Sequence, residues 1–329
     1  MRQGKIGIFL PGQNGDIMSA MSVLKYKDIL WPNKDVVWFC GDTRFKEVLK
    51  YNDAISEIRH WPEGWGLPER CVQENERIAT SSTGEPRWAD FSVLKDSDNH
   101  LNQSRKYMFE STKDLEQGYF PAPWMMSLEQ RHGIDYPNVS RKVFGVGPSW
   151  EWHPYLGFSD EERKKAEEFC LGLPHKRSVM LETSFNYGPR PLDDDLIQET
   201  MVMCRNALGE CNFIFASAGD NSRFIGSVSC SHFTVRQTAL INDYCDLFIG
   251  ISSGISVATS CWDSKPVPKL QYCGSFIMST VSLANGPIEL VITDPAGQNP
   301  PEHERRYPPN PNHRQVFKSK LAEILDRIK

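Results

Sequence analysis

Residues 1–60, MRQGKIGIFLPGQNGDIMSAMSVLKYKDILWPNKDVVWFCGDTRFKEVLKYNDAISEIRH, decide the fold class. Residues 5–10 (KIGIFL) form a short apolar run, the pattern of a strand buried on both faces of a parallel sheet. A Pro/Gly turn follows at Pro11-Gly12-Gln13-Asn14-Gly15-Asp16. Ile17, Met21, Leu24 and the segment 26–29 then place apolar groups at helical spacing up to Pro32. Residues 36–40 (VVWFC) predict the next strand, 43–51 a helix, and 55–60 a third strand. This β-α-β-α-β order needs right-handed crossovers and so predicts a parallel, doubly wound sheet.

Working outward, residues 62–135 show weak periodicity, with helices expected at 103–115 and 124–131. Residues 137–158 (PNVSRKVFGVGPSWEWHPYLGF) are rich in Pro, Gly and aromatics and read as the approach to a linker. A second alternating block then begins. Ser159-Asp160-Glu161-Glu162 is a helix start, because Ser caps and acids suit the first turn. Strands are expected at 178–182, 212–216, 247–251, 267–270 and 289–293, with helices at 192–207, 237–244, 254–262 and 315–328. The chain therefore predicts an α/β protein with two Rossmann-like domains facing across a cleft: 1–157, 158–305, and a tail with a closing helix at 306–329. The carboxyl ends of the strands, where such sheets bind ligands, would line that cleft.

Composition narrows the function classes. At 329 residues the chain is long enough for about two domains. A formal charge of −5 argues against nucleic acid as a partner, since neutralising many phosphates calls for a basic surplus. No apolar run reaches about 18 residues, so no transmembrane helix is expected. The apolar part of the opening stretch is also too short for a signal peptide. Nine scattered cysteines, never spaced CxxC, predict free thiols in a reducing cytoplasm rather than zinc or disulfide frameworks.

Three loops could carry chemistry. In the first, Gln13, Asn14 and Gly15 could approach an acceptor, and Asp16 could take a proton from an incoming hydroxyl or could simply cap the helix that follows. The turn is not a full GxGxxG, which weakens a dinucleotide reading. In the second, Ser252, Ser253, Gly254, Ile255 and Ser256 join a strand to a helix. Their N–H groups could cradle a diphosphate, or the serines could serve as ordinary caps. The third, opened by Thr183, carries Arg190, which could neutralise a diphosphate leaving group or stay solvated. Gly219, in the loop 217–221, could meet a nucleoside.

Other features resemble chemistry less convincingly. Asp193-Asp194-Asp195 suits the negative first turn of a helix better than a metal site. Cys230 and His232 are too close along one segment to form a dyad on one substrate. His100, His132 and His153 have no partners in sequence. Trp61, Trp65, Trp88, Trp124, Trp150, Trp152 and Tyr155 suit packing more than sugar stacking.

Two segments carry a family resemblance. Gly15-Asp16-Ile17-Met18, the helix to Pro32 and the strand VVWFC resemble the opening of bacterial heptosyltransferase-type glycosyltransferases (glycosyltransferase family 9). Residues 233–262, FTVRQTALINDYCDLFIGISSGISVATSCW, are similar to that family's strand–"DSG"–helix donor segment. The resemblance implies a GT-B fold and a metal-independent, inverting transferase with a nucleotide-diphosphate sugar as substrate and no bound cofactor. It places the family's base at Asp16 and its basic donor residue near Arg190. The family's "DSG" aspartate is Ser252 here, and its histidine three residues after that glycine is Val257. Those positions contact ADP-heptose in the family, so another hexose or a deoxysugar fits this chain as well.

The acceptor implied is a glycan or a lipid-linked glycan. Arg305, Arg306, Arg314, Lys318 and Lys320 could give weak contact with anionic lipid at the inner membrane face, although interspersed acids suit a solvated surface. Three alternatives stand beside this reading: a nucleotide-sugar 2-epimerase of the same two-domain shape, a catalytically silent carbohydrate- or nucleotide-binding module, which the changes at Ser252 and Val257 leave open, and a Rossmann dehydrogenase, which the missing GxGxxG weakens.

Overall fold

The alternation of residues 1–60 folds into parallel strands. The structure is a computed structural model that describes residues 4–10, 14–40, 46–60, 113–119, 140–141, 143–147, 149–183, 192–216, 221–251, 253–273, 287–292 and 312–329. It divides into two units, Met1–Gly157 and Phe158–Lys329.

In the first unit, β1 (Lys5–Phe9) leads to α1 (Asn14–Met21), a 3₁₀ segment (Ser22–Tyr26) and α2 (Lys27–Leu30). β2 (Asp35–Cys40), α3 (Lys46–Leu49), β3 (Glu57–His60) and β4 (Gln117–Tyr119) follow. Asn33 takes a positive φ of 59° in the turn before β2, a conformation asparagine tolerates better than most residues. The sheet runs β3-β2-β1-β4 with every pairing parallel. Ile6, Ile8, Val37 and Trp38 are wholly buried, as strands covered on both faces require.

Three expectations are corrected here. β4 lies where no strand was expected, because three residues, QGY, carry no readable period. The helix expected at 103–115 does not reach 113–115, which are turn and coil; the rest of it, and 124–131, lie outside the described residues. Nor is 137–158 merely an approach to a linker. Phe144 and Trp152 are buried, and Trp31, Tyr119 and Phe144 form one aromatic cluster with centroids 5.2–5.9 Å apart. The Trp31 indole N–H donates to the Tyr119 hydroxyl at 2.9 Å, so burial leaves neither polar tip unpaired. Trp61, Trp65, Trp88 and Trp124 lie outside the described residues.

The second unit opens with α4 (Asp160–Leu171), capped by Ser159 and Glu162 in a reciprocal capping box. Next come β5 (Arg177–Glu182), α5 (Asp194–Leu208), β6 (Cys211–Phe215), β7 (Ser227–Ser229) and α6 (Val235–Asn242). β8 (Leu247–Ile251), α7 (Gly254–Ala258), β9 (Lys269–Cys273), β10 (Ile288–Ile292) and α8 (His313–Ile328) complete it. The sheet is entirely parallel, in the order β10-β9-β8-β5-β6-β7. On one face, Val179, Leu181, Ile249, Leu270 and Tyr272 pack with Leu196, Phe317 and Leu321 of α5 and α8. On the other, Met180, Ile214 and Phe248 pack with Ala166, Leu240 and Ile241 of α4 and α6.

Asp193 caps α5, its carboxylate accepting from Leu196 N at 2.9 Å, with Asp194 and Asp195 in the first turn. The acidic run is therefore a helix start. α7 ends at Ala258, shorter than the helix expected to Trp262. The Thr259 and Ser260 hydroxyls bond back to the Ser256 carbonyl at 3.0 and 3.2 Å, a local competition that tightens the last turn.

Candidate functional site

Each sheet has one point where the strand order reverses, the place where open α/β sheets bind their ligands. In the first unit it lies between β1 and β4, and in the second between β5 and β8.

At the first reversal point the chain leaves β1 and enters α1 at Asn14. Asp16 is the third residue of the helix, in its first turn and partly exposed. It therefore stands inside the helix rather than at the capping position, and a carboxylate there is favoured by the helix dipole. Asn14 Oδ1 is buried and has no hydrogen-bond partner. Gly15 lies between them, and Gln13 is outside the described residues. Phe9 and Phe39, stacked at 4.1 Å, wall the carboxyl ends of β1 and β2.

At the second reversal point Thr183 follows β5 directly, and Ser253 caps α7. Here the hydrogen bonds show the capping reading of the loop for Ser253 and Ser256. The Ser253 N–H donates to Ser256 Oγ at 2.9 Å and the Ser256 N–H to Ser253 Oγ at 3.2 Å. Those two amides are thus satisfied within the protein, because a serine at each end of the turn closes a capping box. Among the described residues, the Gly254 and Ile255 N–H groups take no partner. Arg190, Gly219 and Ser252 lie outside the described residues.

Reading the loops alone missed two groups in the sheet itself. Glu182, the last residue of β5, and Gln271, in β9, are both 0% exposed. The signal was a polar letter at or near the end of an apolar run, in SVMLE and KLQYC.

The cysteine chemistry discounted from sequence is also absent from this geometry. Cys230 is buried and His232 exposed, so the two do not share one surface. Burial pushes the Cys230 thiol up to about 12 and Cys261 up to about 11, far from a nucleophile at neutral pH. Among the described residues no group of three His, Cys, Asp or Glu is placed to hold a metal ion. None of the described helices is long and apolar enough to cross a membrane.

Two consecutive parallel, doubly wound sheets define an α/β protein of the two-Rossmann class. Solved structures similar to this chain over nearly its whole length include glycosyltransferases. A glycosyl transferase family 9 structure from Veillonella parvula is similar at 13% identity and a TM-score of 0.57, over 99% of both chains. The ADP-heptose lps heptosyltransferase II of E. coli matches at 12% identity and 0.56, over 98% of this chain and 99% of that one. The E. coli heptosyltransferase WaaC with ADP matches at 10% and 0.51, over 97% and 99%. The chain thus has the GT-B fold of these proteins, the fold implied by its two resembling segments. No family model matches the sequence, and no curated protein does.

Proposed function

We propose that this chain is an inverting, metal-independent glycosyltransferase that moves a sugar from a nucleotide-diphosphate donor to a glycan or lipid-linked acceptor. The observation that carries the reading is the fold shared end to end with glycosyltransferases, with Asp16 at the reversal point of the first sheet. In this reading the first unit binds acceptor near Gln13, Asn14 and Gly15. The second binds donor near Thr183, Gly219 and the loop 252–256, using the Gly254 and Ile255 amides and the serine side chains.

Asp16 takes the proton as the acceptor oxygen attacks the anomeric carbon. The bond from that carbon to the diphosphate oxygen breaks on the opposite face, which inverts the centre. Arg190 then meets the charge that develops on the leaving diphosphate. Excluding water during this step protects the donor from hydrolysis.

The test is a thermal-shift panel of UDP, GDP and ADP with their hexose conjugates. A ligand at about 100 times its Kd adds about 2.7 kcal/mol to the folded state, a rise of several degrees. One nucleoside diphosphate family should raise the melting point, and a panel with no effect would remove the reading. Incubation of the stabilising conjugate without acceptor separates the main rival: a 2-epimerase would release an altered sugar nucleotide or its elimination product.

A further inference from the structure

Two thiols of the second unit face one carbonyl. Cys170 lies in the last turn of α4, and Cys245 in the turn between α6 and β8. The Cys170 Sγ–H donates to the Ile241 carbonyl oxygen at 3.9 Å, and the Cys245 Sγ–H donates to the same oxygen at 3.6 Å. Both pack in the apolar layer where α4 and α6 cover the sheet. The Glu162–Arg236 ion pair ties these two helices near their amino ends, and the thiols meet at the opposite ends.

The two differ in access: Cys170 is partly exposed and Cys245 is buried. Burial pushes the Cys170 thiol up to about 12. Burial also holds the Cys245 thiol well above its usual range, with Cys170 the next largest influence on it. Little of either thiol is ionised at neutral pH, so attack by their sulfurs is slow. The dithiol likewise gains nothing from ionisation, so a disulfide between the two resists reduction once made. Cys230, a third cysteine of this layer, is engaged by the Thr238 side chain instead.

We propose that Cys170 and Cys245 are a site of reversible oxidation, joined by a disulfide that fastens α4 to the turn entering β8 when small-molecule disulfides accumulate around the protein. Cys170, the accessible thiol, reacts first. It gives up its proton, and its sulfur attacks one sulfur of the small disulfide, whose S–S bond breaks and releases one thiolate. Cys245 then gives up its proton and attacks the Cys170 sulfur of this mixed disulfide, which releases the second thiolate. The two thiolates take up the two protons, so a pair of protein thiols is oxidised by two electrons as one small disulfide is reduced to two thiols. Both cysteines stand at the ends of elements, where local opening brings the buried partner within reach.

Incubating the full chain with oxidised glutathione in mildly alkaline buffer tests this. The remaining thiols are then alkylated in denaturant, and the protein is digested without reductant. Mass spectrometry should find the Cys170 and Cys245 peptides joined with the loss of two hydrogens, and dithiothreitol should restore both thiols. The oxidised protein should melt several degrees above its reduced form, because the bond closes a long loop of the unfolded chain. Cys170→Ala should abolish both the link and the rise. Cys245→Ala should leave Cys170 as a mixed disulfide with glutathione, with no rise over its own reduced form, so the comparison holds even if this variant is less stable. A wild type in which both thiols stay free, in which Cys170 stops at the mixed disulfide, or in which either is joined to Cys230 would overturn the inference. None of these outcomes bears on the donor reading.

Discussion

Arg236 is a guanidinium without solvent access, and Glu162 is the carboxylate that holds it. The pair joins α6 to the first turn of α4, and Arg236 also lies 5.8 Å from the centre of the Phe158 ring. Removing one partner of a buried pair strands the other charge, at about 3–5 kcal/mol. Glu162→Gln should therefore lower urea stability by about that much. Replacing both residues with methionine should recover part of the loss. The Ser159–Glu162 cap was legible because its parts lie three residues apart. The ion pair was not, because its members are 74 positions apart and only the packing of α4 on α6 brings them together.

Asp243 and Lys269 contribute to the pH dependence of the same unit. Burial pushes the Asp243 carboxyl up to about 6, against Lys265, Lys269 and Arg163, which pull it down. Burial likewise pulls Lys269 down to about 8, with Cys261 and Asp243 opposing. An acid whose folded pKa is raised stabilises the fold most below its unfolded pKa, and that contribution is lost as pH rises through the folded value. Wild type should thus lose on the order of 3 kcal/mol from Asp243 between pH 4 and 6. Asp243→Asn should abolish that slope, because its side-chain oxygen can still accept from Lys265 N. Denaturant titrations of both proteins across this range check the difference, and parallel curves would contradict it.

Elements long enough to show a period were legible, and short ones were not. β8 at Leu247–Ile251 matches its apolar run residue for residue, whereas β4 and β7, three residues each, leave no pattern. β4 is held instead by pairing to β1 and by charges in the chain before it. Asp114 accepts from Arg59 at 2.7 Å and from Lys5 at 3.0 Å, and Glu57 joins the same network. Arg59 and Lys5 hold the Glu57 carboxyl down at about 2. The end of the first unit is fixed by a close approach. A Cβ on Gly157 would lie 1.9 Å from the Tyr51 carbonyl oxygen, while Asn52 Nδ2 donates to the Tyr155 carbonyl. Gly157→Ala must displace backbone, so it should cost about 1–3 kcal/mol and lower the melting point. An unchanged melting point would show that this approach is not required.

At the scale of the whole molecule, the two windings were legible because parallel strands and crossover helices write their order directly into the apolar pattern. The candidate site was legible only in outline. The turn around Asp16 and the Ser-Ser-Gly loop mark carboxyl edges, but the spacing could not tell a satisfied serine cap from a free amide. Nor could it show that Glu182 and Gln271 flank Gly250, because register is a property of paired strands. The most direct measurement of the central claim is donor turnover by Asp16→Asn, using the sugar nucleotide that stabilises the wild type together with an acceptor glycan. With the proton acceptor removed, release of nucleoside diphosphate should fall about 10²–10⁴-fold, while donor affinity and melting point stay at wild-type values. Transfer by this variant at close to the wild-type rate would contradict the account.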